Sequence, residues 1–308
     1  MQITVPCFAK LNLDLRVLHK RPDNYHEVRT IFQTISLRDV LTIEYKPAKR
    51  TQINLSSSID IENNVVVRSA KKVLDYLKVT AWVRFVIKKQ IPLGAGLGGG
   101  SSDAAAVIMA LPALAGKPIP FPDLVRLAES LGSDVPFFLH GGATLALGRG
   151  IEVYPLPDLP PLIALVITTG IHVSTPTAYA ALNRSALTSP AESPILREFQ
   201  TIAWNLSGSS LDQLPLKNDF EEAVFGIHKE LAAQARKLRK LGAKPALMTG
   251  SGSALFGIFK TVADARAAAS KFPPGSAHLV HFVSRRRYQN LWRRALGPAA
   301  EASCFARS

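Results

Sequence analysis

Polar and apolar residues alternate along residues 2–17 (QITVPCFAKLNLDLRV), which predicts a strand pair interrupted near Pro6. The alternation returns over 28–37, and shorter strands are expected at 41–45 and 52–55 around a polar turn. From 65 to 77 the apolar positions fall at helical spacing. Residues 81–91 (AWVRFVIKKQI) are β-branched and alternating, so they read as a strand, and the Ala-rich run 104–111 reads as a helix. A helix over 122–131 stops at Gly132, and a short one over 133–139 follows, with Ser133 as its cap, Asp134 in its first turn and Pro136 just behind. Residues 141–148 (GGATLALG) form a Gly-flanked strand that closes a first lobe. The segment 155–161 (PLPDLPP) has linker composition, which divides the chain into 1–155 and 156–308.

In the second part, 162–168 is a buried type of strand and a helix starts after Thr175. Residues 183–215 are rich in Ser, Pro and other polar types and read as a surface excursion. Asn218 and Glu221 have capping-box spacing and open a long amphipathic helix running to Leu241 and stopped by Gly242. A strand, a glycine turn and a second strand are expected over 246–257, then a helix over 264–271 and a strand over 277–283. The fold class is therefore α+β.

Composition narrows the function classes. A chain of 308 residues with 47% hydrophobic and 19% charged residues is an ordinary globular protein. No apolar run approaches the roughly 18 residues of a membrane span, and the first residues lack the basic-then-apolar pattern of a signal peptide. Cys7 and Cys304 give neither a disulfide framework nor metal-ligand spacing, which favours a cytoplasmic location. The formal charge of +14 suits polyanionic ligands such as nucleotides, or a nucleic-acid surface. The densest basic run, 285–294 (RRRYQNLWRR), reads as a solvated strand end or helix face.

The chemistry centres on Ile91-Pro92-Leu93-Gly94-Ala95-Gly96-Leu97-Gly98-Gly99-Gly100-Ser101-Ser102-Asp103. A strand precedes it and a helix follows. The glycine run is expected to lack regular structure, with Ser101, Ser102 and Asp103 offering N-cap oxygens. Strand, glycine loop and helix N-terminus together make an anion site of backbone N–H groups and helix dipole. The loop is no Walker A sequence, because Ser101 stands where Lys is needed. Gly94, Gly96 and Gly99 satisfy the dinucleotide pattern, but the acidic residue near the required distance, Asp123, opens a helix and does not close a strand. The H-R-D and D-F-G sequences of protein kinases do not occur.

Elsewhere, Lys10 and Asn12 lie two apart and project from one strand face; such a Lys guards a sheet edge or meets a phosphate. Tyr25 and His26 follow a turn at 21–24. The pair suits strand packing, or reading of a base by stacking and edge contacts. Asn64 fits an N-cap, Asp134 a dipole-satisfying acid, and Tyr179 a packed helix residue.

The stretch P-x-G-x-G-L-G-G-G-S-S-D-A-A closely resembles the phosphate loop of the GHMP kinases. The A-K-L-N-L around Lys10 is similar to that family's first motif, and Met248-Thr249-Gly250-Ser251-Gly252 to its third. The triple glycine and double serine look most like the members whose substrate is a cytidine-diphosphate-linked methylerythritol of the non-mevalonate isoprenoid route. The turn before Tyr25 departs from the family pattern at Asn24, where Gly is usual; Asn tolerates a left-handed φ well enough for the turn to survive.

The resemblance implies a two-lobed fold, with an N-terminal ribosomal-S5-domain-2-like lobe and a C-terminal ferredoxin-like lobe. It implies transfer of the ATP γ-phosphate to the substrate 2-hydroxyl. Pro92 through Ser102 and Asn64 would hold the nucleotide, and Lys10 and Asp134 would be catalytic. Asn12, Tyr25, His26, Tyr179, Thr249, Gly250, Ser251 and Gly252 would meet the substrate, with Tyr25 and Tyr179 on opposite faces of the cytosine. Mg²⁺ is expected with ATP, held mostly by phosphates and water; Ser101 or Ser102 is the candidate protein ligand. The alternatives are a homoserine or mevalonate type of kinase, or a basic RNA-binding module. The oligomeric state stays open between monomer and homodimer.

Overall fold

The computed structural model describes residues 1–57, 64–182, 192–206 and 208–305. Its organising strand is β1 (Gln2–Lys20), antiparallel to β2 (His26–Pro47) along almost its whole length. The expected break at Pro6 does not occur. Within its sheet β1 pairs with β2 alone, so the missing proline N–H falls on an edge where no ladder bond is required.

The free edge of β2 is shared. Its far half pairs with β4 (Ala81–Lys88) and its near half with β5 (Ala143–Leu147). β3 (Gln52–Ser57) lies parallel to β4, and β6 (Glu152–Pro155) closes a hairpin on β5. Against this sheet pack α1 (Val65–Leu77) and α2 (Gly99–Leu114). α2 is buried from Ser102 to Leu114; its alanines let it lie close to the strands. α3 (Phe121–Glu129) and α4 (Phe137–His140) complete the lobe.

The second sheet is antiparallel, in the order β10 (Ala277–His281), β7 (Ile163–Ile167), β9 (Leu255–Phe259), β8 (Ala246–Met248). It carries α5 (Thr175–Ala181), α6 (Glu192–Asn205), α7 (Phe220–Ile227), α8 (Lys229–Lys240) and α9 (Val262–Ala269). Two expectations are corrected here. The stretch 183–215 is no mere surface excursion: α6 lies within it, and Phe199, Ile202, Leu206 and Leu211 are buried in the core. Residues 183–191 of that stretch lie outside the described residues. The single long helix to Leu241 is two helices, broken at His228, and the Asn218 side chain accepts from Phe220 N at 2.9 Å to start the first.

The basic run 285–294 opens α10 (Arg285–Leu296), which returns to the first lobe. Tyr288, Trp292 and Leu296, on one helix face, join the core built by α1, α2 and the first sheet.

β1 joins the two lobes. Val5, Cys7 and Phe8 enter the first core, Ala9, Leu11 and Leu13 a second, and Leu15 and Val17 a third. Lys10, Asn12, Asp14 and Arg16 alternate with these and are also buried. An apolar face turned to the core is ordinary strand behaviour; a buried polar face needs partners for every group. Asp14 and Arg16 satisfy each other at 2.7 Å, with Glu198 on the guanidinium's other side. Lys10 and Asn12 face the cleft described next.

Candidate active site

The glycine loop is irregular only as far as Gly98. Gly94, Gly96 and Gly98 have φ of 63°, 77° and 73°. Gly98 is the N-cap of α2, and Gly99 and Gly100 are already helical, so Ser101, Ser102 and Asp103 lie inside the helix, Asp103 beyond its first turn, and none caps. The outcome suits an anion better than side-chain capping would. With no side-chain oxygen at the cap, the first N–H groups of this 16-residue helix stay available to a ligand.

Asp103 anchors the loop from below. Its carboxylate meets Lys89 Nζ at 2.8 Å, and Lys89 also meets Asp39 at 2.5 Å. The other Asp39 oxygen accepts from Gln90 N and Ile91 N. The end of β4, strand β2 and the N-terminal part of α2 are thus tied through one buried ammonium. Burial, reinforced by Asp39's charge and opposed by Lys89, pushes the Asp103 carboxyl up to about 6.

Above the loop lies the polar face of β1. Lys10 N donates to Leu97 O at 3.0 Å, and Lys10 Nζ lies 2.6 Å from Asn12 Oδ1 and 3.3 Å from Asp134 Oδ2. Lys10 is 2% exposed, whereas the Asp134 side chain is 32% exposed and opens on the cleft. Asp134 reaches this position from a turn, because the short helix begins only at Phe137, with Pro136 at its cap and no Ser133 cap bond. Its electrostatic partner is therefore Lys10, not a helix dipole.

Asn12 also donates to Thr30 Oγ1 at 2.8 Å, and Thr249 Oγ1 accepts from Asn12 N at 3.0 Å. That bond brings in the 249–253 turn of the second lobe. Gly96 and Gly250 approach so closely that a Cβ on Gly96 would stand 2.2 Å from Thr249 O. Ser251 Oγ meets Thr175 Oγ1 at 2.9 Å.

At the cleft's other end, Asn24 takes φ 67°, the left-handed turn position that the sequence left to a non-glycine residue. Tyr25 follows, 51% exposed, with the Arg149 guanidinium 4.9 Å from its ring centre. The His26 ring stacks on Tyr179 at 4.8 Å and 21°, and Tyr179 meets Phe220 edge-on. Burial, with the charges of Lys20 and His19, lowers the His26 pKa, so its imidazole is neutral at pH 7. Burial and the charge of Asp134 push the Tyr179 hydroxyl up to about 12.

Lys10, Asn12, Tyr25, His26, Gly96, Gly98, Asp134, Tyr179, Gly250 and Ser251 line one cleft of about 290 Å³. A larger hollow of about 640 Å³ beside Leu211, Lys244 and Lys260 shares none of these residues and holds no glycine loop. Asn64 caps α1 through Val66 N at 2.9 Å, and Val65 is the nearest neighbour a Gly100 side chain would meet, so Asn64 stands beside the start of α2. Leu93 is 50% exposed and is not among the residues that line the cleft. Arg149, Thr175 and Phe32 line the cleft as well and were not singled out from the sequence. Only Arg149 had a local signal, its place between Gly148 and Gly150.

This geometry has relatives. The family model for the GHMP kinases N terminal domain matches residues 64–142, and that for the GHMP kinases C terminal matches 195–274. A 4-diphosphocytidyl-2-C-methyl-D-erythritol kinase of Solibacter usitatus is 48% identical over 291 residues, 94% of this chain and 91% of that protein. One of Thermodesulfovibrio yellowstonii is 36% identical over 88% of this chain and 94% of its own. A crystal structure of 4-(cytidine 5'-diphospho)-2C-methyl-D-erythritol kinase superposes with a TM-score of 0.75 at 35% identity, covering 92% of this chain and 99% of that one. A homoserine kinase from Cytophaga hutchinsonii, at 18% identity and a TM-score of 0.70 over 92% and 95% of the two chains, shares the fold.

Proposed function

The chain belongs to the GHMP kinases, and within them to the 4-diphosphocytidyl-2-C-methyl-D-erythritol kinases, and from that footing we propose how its residues carry out ATP-dependent phosphorylation of the substrate 2-hydroxyl. The observation that carries the reading is the Lys10–Asp134 pair at 3.3 Å, in a cleft with the glycine loop on one side and Tyr25 and His26 at its end. Phosphoryl transfer asks for alignment and for neutralisation of charge. The loop N–H groups and the start of α2 cradle the ATP phosphates. Asp134 accepts a hydrogen bond from the attacking hydroxyl and takes its proton as the new O–P bond forms and the β–γ bridge breaks, releasing ADP. Lys10, held in place by Asn12, balances the charge that develops between alkoxide and phosphoryl group.

Mg²⁺ fits as an ion that arrives with the nucleotide. No cluster of three or more metal-ligating side chains occurs among the described residues, and the Ser101 hydroxyl in the first turn of α2 is the oxygen we assign to it. Such an ion shields the triphosphate charge. No helix of the described residues is long and apolar enough to cross a membrane, and Cys7 is a buried free thiol, in keeping with a reducing cytoplasm.

At the base end we assign stacking to Tyr25 and edge recognition to His26, whose neutral ring offers one donor and one acceptor. Tyr179 backs His26 and meets the base itself only if the imidazole leaves its face. The test is a coupled kinase assay with ATP and a panel of alcohols including the cytidine-diphosphate compound. Tyr25→Ala raises the KM for that compound about tenfold or more, the scale of one stacking contact, and leaves the KM for ATP near wild type. Tyr25→Phe is nearly silent. A change in the ATP KM, with the cytidine KM unmoved, would overturn the assignment.

A further inference from the structure

We propose that Arg149 is a specificity-determining residue that holds the diphosphate of the substrate. The inference rests on the cytidine reading of Tyr25 and His26. A substrate with its base at Tyr25 and its hydroxyl at Asp134 lays its two phosphates across the cleft between them. Among the described residues, Lys10 and Arg149 are the only lysine or arginine that line this cleft. Lys10 cannot answer that charge alone: it is buried and faces Asp134, so the pair sums to about zero. His26 is neutral, because burial and its cationic neighbours lower its pKa. Without Arg149, the described residues that line the cleft carry no net positive charge, and Lys20 and His19, whose charges act on His26, lie outside the lining.

Arg149 is placed and free to act. Among the described residues it makes no ion pair within 4 Å; Asp23, the acid of the neighbouring turn, pairs with Arg21 at 3.3 Å and feels the Arg149 charge only at longer range. Its backbone sits in the β5–β6 hairpin turn, which Val28 N holds by donating to Gly148 O at 2.6 Å. The turn is thereby fixed two residues from His26. A guanidinium packs its plane on an aromatic ring while its edge donates to phosphate oxygens, which an ammonium does not do. With its charge 4.9 Å from the centre of the half-exposed Tyr25 ring, Arg149 serves the base platform and the diphosphate together.

The experiment measures inhibition constants of CDP and of cytidine against the cytidine-diphosphate substrate, for the wild type, Arg149→Ala and Arg149→Lys, with the KM for ATP as the folding control. Loss of a charge-assisted contact predicts that Arg149→Ala weakens CDP about tenfold or more and cytidine by less than about twofold. Arg149→Lys, keeping charge but not the planar fork, recovers part of the CDP affinity. The proposal is overturned if CDP and cytidine weaken equally, since Arg149 then only props Tyr25, or if neither weakens. Wild-type enzyme that neither CDP nor cytidine inhibits sinks the cytidine reading itself, a result distinct from the others.

Discussion

Asp134→Asn lowers kcat about a hundredfold or more, the scale of a lost acid–base group, while the affinity for ATP stays near wild type. The substitution keeps the side chain's size and its capacity to accept a hydrogen bond. What it removes is the carboxylate 3.3 Å from Lys10 Nζ. Two losses follow. The hydroxyl has no anionic acceptor for its proton, and Lys10, 2% exposed, loses its carboxylate partner and is left with Asn12 and the face of the Phe32 ring. The lysine is then free to bind the triphosphate in a ground-state pose, so KM for ATP stays level or falls while kcat drops. Because the two groups act as a unit, Asp134→Asn combined with Lys10→Met costs little more than the worse single change. The check is kcat from initial rates, with ATP affinity by titration. A variant turning over near the wild-type rate removes Asp134 from the chemistry. Additive losses in the double variant would show two independent roles.

The pairing behind that prediction was partly visible in the sequence. Lys10 and Asn12 stand two apart in an alternating stretch, and period two puts them on one strand face whatever the fold. The sequence gives no sign that this polar face is buried. Alternation marks one face as apolar, and the burial of the other comes from the second lobe closing over β1 through Thr249 and Asn218. Asp134 was legible as a residue but not in its setting: Ser133 has the chemistry of a cap, yet the helix starts after Pro136, and the acid stands in the preceding turn.

The same contrast runs through the rest of the fold. The glycine loop announces itself because its function requires backbone geometry that glycine supplies. α6 was hidden by its polar neighbours, although Phe199, Ile202 and Leu206 recur at helical intervals inside the Ser- and Pro-rich stretch. α10 was hidden by its arginines, which conceal the buried stripe Tyr288, Trp292, Leu296. The break at His228 leaves no mark on the apolar period of the flanking helices. Arg149 lies in a hairpin turn, where periodicity carries no information at all.

Gly96→Ala abolishes measurable ATP binding and reduces turnover more than about a hundredfold, because positioning error at the phosphates is paid at the transition state. The new Cβ stands 2.2 Å from the carbonyl oxygen of Thr249 and 3.3 Å from that of Gly252, and both are backbone atoms that no rotamer change can move. The φ of 77° adds left-handed strain of roughly 1–2 kcal/mol for any L side chain. Relief requires the glycine loop and the 249–253 turn to separate, which also breaks Ala254 N to Ala95 O and loosens Thr249 on Asn12. Gly100→Ala is the matched control. Gly100 is helical, and its only near neighbour is Val65 Cγ1 at 3.9 Å, so alanine is accommodated there and stabilises α2 by about 0.5–1 kcal/mol. Circular dichroism and thermal melts of both variants, beside ATP titration, separate the causes. Gly96→Ala keeps its secondary structure, since the clash lies between loops and spares the cores of both lobes. If it bound ATP as the wild type does, the docking of these two turns would have no part in forming the phosphate site. If Gly100→Ala lost ATP as completely, the phosphates would need bare backbone at the second residue of α2 as well as at Gly96, and the loss in Gly96→Ala could not be assigned to the clash between the two turns.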